Sequence, residues 1–203
     1  MTYNDCMLHT VIFIGRSGCG KGTQARLLKN YISSHDDKNR HILYVESGDG
    51  FRQFIRGDTF SSKLSKDAYE KDILQPDFLA CWVWTNVLVE ELKEDMHIVF
   101  DGVARSVEEA EILTSALEFY KREKPTVVYI DVSRDWSEKH LLARNRMDDT
   151  NISKIDKRLD WFDENVLPAI EYFRKTPIYN FVDINGEQSI EKVHSDIVSA
   201  YLG

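Results

Sequence analysis

The chain has 203 residues, 42% of them hydrophobic, enough for one domain with a sizeable core. A formal charge of −8 and a pI near 5.3 exclude bulk attraction to nucleic acid or to an anionic membrane, so any positive potential has to be local. No stretch approaches the length of a transmembrane helix, and three scattered cysteines (Cys6, Cys19, Cys81) offer neither a disulfide framework nor metal spacing; the expectation is a soluble, cytoplasmic protein.

The first element is an apolar strand, Val11-Ile12-Phe13-Ile14, which breaks at Gly15. The chain then passes through Arg16-Ser17-Gly18-Cys19-Gly20-Lys21-Gly22-Thr23 and takes up helical spacing with Ala25, Leu27 and Leu28. A strand, a glycine loop and a helix in that order make a phosphate-binding P-loop. Its glycines let backbone N–H groups turn inward on an anion, the helix adds its positive end, and Lys21 adds a mobile point charge. Cys19 stands near that helix end and Lys21, which favour thiolate; the other reading is a small residue that fits the loop.

His41 to Val45 reads as a second strand, and Ser47-Gly48-Asp49-Gly50-Phe51-Arg52 opens a helix with Asp49 as its cap. On residue type alone Arg52 is a solvated surface arginine. Phe54 to Lys71 is expected to be helical. The sequence Leu74-Gln75-Pro76-Asp77 restarts a helix whose apolar face, Phe78 to Leu92, includes Trp82 and Trp84 as packing residues. Met96 to Gly102 is the third strand. Its Asp101, at the carboxyl end, can hold Mg²⁺ through water or can merely cap the strand. Ser106 caps a helix through Lys121, with Glu108 and Glu109 in its first turn. Thr126 to Asp131 is the fourth strand. Trp136 begins a helix that ends at Leu141 to Asp149, and the next helix runs from Ile155 toward Tyr172. Tyr179 to Ile184 is the fifth strand, Asn185-Gly186 a turn, and Ser189 caps the closing helix. Strands alternating with helices give an α/β fold with a parallel sheet covered on both faces.

In the general P-loop pattern Ser or Thr follows the lysine directly, whereas here Gly22 intervenes and the hydroxyl comes at Thr23. Together with Ser47-Gly48-Asp49-x-x-Arg52, Asp101-Gly102-Val103-Ala104-Arg105 and Arg144-Asn145-Arg146-Met147-Asp148-Asp149, this resembles adenylate kinases and their nucleoside monophosphate kinase relatives. The resemblance covers nearly the whole chain, in order. It implies a P-loop NTPase fold with a five-stranded parallel sheet in a single domain over 1–203. Within it come a small monophosphate-binding insert at about 47–76 and a minimal lid at about 144–150. The implied reaction is transfer of the γ-phosphoryl group of ATP to a nucleoside monophosphate by a monomer. AMP is the first choice and GMP the second; the alternative on the same fold is a nucleotide-binding ATPase or assembly factor.

By the same resemblance Lys21, Arg105, Arg144, Arg146 and Arg158 are catalytic. ATP is held by Gly15, Ser17, Gly18, Cys19, Gly20, Lys21, Gly22 and Thr23, with His140, Arg144 and Gly186 beyond them. The acceptor is held by Ser47, Gly48, Arg52, Gln75, Gly102, Arg105 and Glu109. Mg²⁺ falls to Asp101, through water, and Thr23. The departures are specific. Val103 and Ala104 replace the family's Phe or Tyr and Pro, and a single residue separates Arg144 from Arg146. Glu109 stands where adenylate kinases place a glutamine that reads adenine. An ionised carboxylate only accepts hydrogen bonds, so Gln75 is a candidate for the missing donor; the other reading turns Glu109 to solvent.

Overall fold

Five β-strands build the frame: β1 Thr10–Gly15, β2 Ile42–Glu46, β3 His97–Asp101, β4 Thr126–Asp131 and β5 Asn180–Asn185. The computed structural model describes residues 8–71, 73–144 and 152–202, the side chains of Arg144 and Leu202 excepted. All pairings are parallel and the strand order is β2-β3-β1-β4-β5. The chain therefore builds outward from β1 in both directions, and the crevice for a ligand opens at the carboxyl end of β1. That is where Gly15 leads into the loop.

The helices are α1 Lys21–His35, α2 Ser47–Phe54, α3 Phe60–Glu70, α4 Asp77–Glu91, α5 Val107–Phe119, α6 Arg134–Arg144, α7 Ile152–Trp161, α8 Leu167–Lys175 and α9 Ile190–Leu202. Alternate β1 residues serve opposite layers. Ile12 and Ile14 pack with Trp84, Leu113 and Phe173 from α4, α5 and α8; Val11 and Phe13 pack with Leu28 and Ile197 from α1 and α9. A sheet covered twice needs apolar residues on both faces, which explains the unbroken hydrophobic runs of β1 and β3. This is the expected P-loop NTPase arrangement. Among the described residues, no helix is long and apolar enough to cross a membrane.

Two helices differ from expectation. The stretch 54–71 is not one helix: α2 stops at Phe54, and α3 starts afresh where Thr59 accepts the Ser62 N–H at 3.1 Å. The helix expected to run from Ile155 toward Tyr172 is interrupted by a π-helical turn, Phe162–Val166, between α7 and α8. Asp49 is not a cap either. Glu46 stands at the cap position of α2, and Asp49 accepts instead from Arg52 and Gln53. Ser106 and Ser189 do cap α5 and α9, accepting from the N–H groups of Glu109 and Lys192 at 3.2 Å each.

Candidate active site

The phosphate loop is shaped by close approaches. A Cβ on Gly18, whose φ is +88°, would lie 2.8 Å from the Ser137 carbonyl, so this glycine lets α6 pack directly on the loop. A Cβ on Gly22 would lie 2.8 Å from Asp101 Oδ2. The glycine inserted after the lysine is therefore what brings the β3 carboxylate against the first turn of α1. Gly20, also left-handed, precedes α1, and Lys21 Nζ donates to the Arg16 carbonyl at 3.4 Å. Gly15 closes β1 beside Ile130, and Ser17 and Thr23 flank the turn, the Thr23 N–H bonding the Gly20 carbonyl. Cys19 is buried, and burial pushes its thiol up despite the nearby Lys21 charge. Desolvation thus outweighs the help from Lys21 and disfavours the thiolate, which favours the reading of Cys19 as a small residue that fits the loop.

Asp101 is 6% exposed and accepts from the Tyr44 hydroxyl at 2.9 Å. Burial first, and then this carboxylate, hold the Tyr44 phenol well above its usual range. Among the described residues no cluster of three His, Cys, Asp or Glu side chains could cage a metal ion. One hard carboxylate beside the first turn of α1, which carries Thr23, instead suits a Mg²⁺ that keeps waters and shares phosphate oxygens. The residues fit that ion.

The acceptor side begins where β2 and β3 end. Glu46 lies in register with Asp101. Arg52 donates to Glu46 at 2.8 Å and to Asp49 at 3.3 Å, with Gly48 close against its guanidinium. Burial opposes its charge, but the Glu46 hydrogen bond and charge prevail, and its pKa is raised. Arg52 is thus paired with two acids while its side chain stays 41% exposed, so it is both partnered and partly solvated. The Gly102 carbonyl accepts from both Ser47 Oγ and Arg105 Nε at 2.6 Å, so Ser47 ties α2 to the end of β3. Val103 and Ala104 are fully buried, and Ala104 has φ +59°. A proline there cannot reach that angle, so this turn is built differently from the Pro-containing one. Arg105 is lowered by burial and by Arg158, with Glu109, Asp101 and Glu46 opposing.

Glu109 does not turn to solvent; it is 6% exposed. Burial raises its carboxyl pKa, with Arg105 opposing, and Asp77 and Trp84 of α4 lie alongside. Gln75 is not the free donor expected. It accepts from Ser65 Oγ at 2.6 Å and donates to the Ser65 carbonyl at 2.9 Å, pinning the lead-in of α4 to α3. Trp84 is buried in the core, whereas Trp82 is partly exposed and packs on Phe54.

On the far side, α6 presents Ser137 and Leu141 to Gly18, and His140 stacks on Trp136 at 4.4 Å while bonding the Trp136 carbonyl. The Gly186 N–H bonds the Asp131 carbonyl at 2.8 Å at the end of β4. Arg146 and the rest of the short lid, 145–150, lie outside the described residues, as does the side chain of Arg144.

Sequence comparison agrees with this fold. The family model described as adenylate kinase matches residues 13–178, from inside β1 to just before β5. The chain belongs to the adenylate kinase family. It is 31% identical to adenylate kinase 1 of Nostoc sp., over 95% of this chain and 98% of that protein. It is 30% identical to an adenylate kinase of Parabacteroides distasonis over 96% and 97% of the two chains. A third relative, from Caldanaerobacter subterraneus subsp. tengcongensis, is 29% identical over 95% and 96%.

Within this adenylate kinase family member, sequence reading missed three groups at the site. Tyr44 looked like any strand residue. Glu46, the partner of Arg52, closes a strand without a motif. Arg16 reaches from the phosphate loop to Asp163 at 2.7 Å and lies over the Phe162 ring at 4.3 Å, both on the π-helical turn. An arginine inside a glycine loop was the only available signal for that link.

Proposed function

We propose that this chain transfers the γ-phosphoryl group of ATP to a nucleoside monophosphate, AMP before others, giving two molecules of ADP. The observation that carries the reading is the juxtaposition at one sheet edge of Lys21, Asp101 and the like-charged Arg105 and Arg158. Cations that disfavour one another in an acidic protein are relieved by a polyanion. Phosphoryl transfer asks for little covalent chemistry from protein groups and chiefly for positioning and charge neutralisation.

In this reading the P-loop N–H groups and Lys21 hold the donor phosphates, and Lys21 follows the moving group. Arg105 and Arg158, with Arg144 and Arg146, neutralise charge as it develops; guanidinium forks suit paired phosphate oxygens. Arg52 exchanges Glu46 for the acceptor phosphate. Asp101, through water, and Thr23 would hold Mg²⁺, which would supply positive charge to offset that of the donor phosphates. Residues 47–76 act as the acceptor insert and 144–150 as a minimal lid. No general base is required.

A coupled assay for ADP, run with ATP alone and with each monophosphate in turn, tests this. Stimulation by AMP supports it. Equal turnover without any monophosphate would mark an ATPase and defeat the proposal.

A further inference from the structure

Glu46 and Asp101 close neighbouring strands in register, so two acids stand side by side on the acceptor side of the sheet edge. Their partners differ. Asp101 accepts from Tyr44 and lies against Gly22 of α1. Glu46 instead serves α2, where its Oε1 accepts from Arg52 Nη2 at 2.8 Å. The longer contact of Arg52, 3.3 Å to Asp49, uses the same nitrogen. Among the described residues Nε and Nη1 of Arg52 make no hydrogen bond, so half of a partly exposed guanidinium is left to an incoming anion. Glu46 acts on Arg105 as well, since its negative charge favours the charged form of that buried side chain. One carboxylate thus serves both arginines assigned to the acceptor.

Resting on the kinase reading above, we propose that Glu46 is a built-in stand-in for the acceptor phosphate, which holds the arginines while the site is empty and competes with the monophosphate for Arg52. The carboxylate brings one negative charge and two acceptor oxygens. A phosphate monoester near neutrality brings a charge of about −1.5 to −2 and three strong acceptor oxygens, so it can displace the carboxylate. A neutral nucleoside has no such advantage. The displaced Glu46 is not stranded, because its side chain is partly exposed and water takes over. The apparent affinity for the acceptor is lowered by the fraction of molecules in which Arg52 is engaged with Glu46. The same competition eases departure of the product from the acceptor site.

Glu46→Gln keeps the shape of the side chain and removes its charge, so competition and mere support of Arg52 predict opposite signs. Calorimetric titration with AMP, in the absence of ATP and Mg²⁺, reads the difference. The dissociation constant for AMP falls about three- to fivefold in Glu46→Gln, the range that a partly exposed ion pair sustains. Adenosine, which lacks the phosphate, binds both forms alike, and the affinity for ATP does not move. Asp49→Asn, at the longer and more exposed contact, tightens AMP by less. In turnover the KM for AMP falls with its dissociation constant. An unchanged AMP affinity in Glu46→Gln overturns the proposal, and a weaker one shows that Glu46 only positions Arg52. Equal tightening of adenosine, an equal effect of Asp49→Asn, or no AMP binding to either form overturns it too. If AMP binds but no monophosphate turns over, the kinase reading fails, and the comparison of AMP affinities still decides for or against Glu46.

Discussion

Among the described residues Lys21 Nζ donates to the Arg16 carbonyl, at 3.4 Å, a long hydrogen bond that its ammonium can give up at little cost to follow a phosphoryl group. Lys21→Met therefore lowers kcat by two to three orders of magnitude, about 3–4 kcal/mol of lost charge stabilisation, with the melting temperature close to wild type. Wild-type turnover in that variant would remove the lysine from the chemistry. Ala104 makes the opposite case, a residue whose role is conformational. With φ +59° and no exposure it aims Arg105, which returns to the Gly102 carbonyl. Ala104→Pro, although it restores the familiar motif, forces φ back to about −65° and costs more than about 1 kcal/mol of stability. A variant as stable and active as wild type would show that the turn tolerates both forms. These two residues also mark what a sequence can tell. Lys21 was legible because a loop motif has fixed spacing. The burial of Glu109 and Cys19 was not, because a helix-start acid or a loop thiol carries no periodic signal for the side it faces.

At the scale of elements, the phosphate loop and the helix bearing Arg158 are joined by Arg16. Arg158 and Phe162 are four residues apart, hence on one helix face, and Arg16 grips Phe162 and Asp163. Arg134 at the start of α6 holds Asp160 at 2.7 Å and Asp156 at 3.2 Å on α7. The stems on either side of residues 145–151 are thus tied to each other. Such part-exposed pairs contribute at most about 1 kcal/mol each. Arg16→Met should accordingly leave the melting temperature nearly unchanged while lowering kcat about tenfold through misplacement of α7. A large loss of stability with unchanged kcat per folded molecule would contradict a positioning role. The one-residue spacing of Arg144 and Arg146 leaves little chain to cover the phosphates. ATP hydrolysis without acceptor is expected to be measurable, and its absence would show that water is excluded by other means. The π-helical turn that carries this link was read as plain helix, since one extra residue barely disturbs an amphipathic pattern.

Across the whole molecule, the strands were legible to within about a residue at each end, because central strands are continuous apolar runs. Their order was not legible from those runs, since strands buried on both faces look alike; only the resemblance implied it. Far from the site, at the amino ends of β1 and β3, His9 and His97 stack at 4.9 Å, and the His9 N–H donates to His97 Nδ1 at 2.9 Å. Burial, then the His97 and Arg40 charges, lower His9 to about 4, and burial and Arg40 lower His97. Unfolded histidines titrate near 6.5, so below that pH the unfolded chain binds more protons and stability falls. The loss runs from about pH 6.5 toward about 4. Asp36, held low chiefly by its hydrogen bond from Arg40, adds a further loss only as pH drops below the ordinary carboxylate range. Melting temperatures should plateau near neutrality and fall below about pH 6.5, less steeply in His9→Gln; a constant value down to pH 5 would contradict this.

The central claim is that donor and acceptor phosphates meet at one sheet edge under Lys21 and the arginines. It is tested most directly by supplying ATP labelled in its γ-phosphorus together with AMP and following the label. The account predicts that the label appears in the β-position of ADP, with two ADP formed for each ATP consumed. Label released as inorganic phosphate, with AMP unchanged, would contradict it.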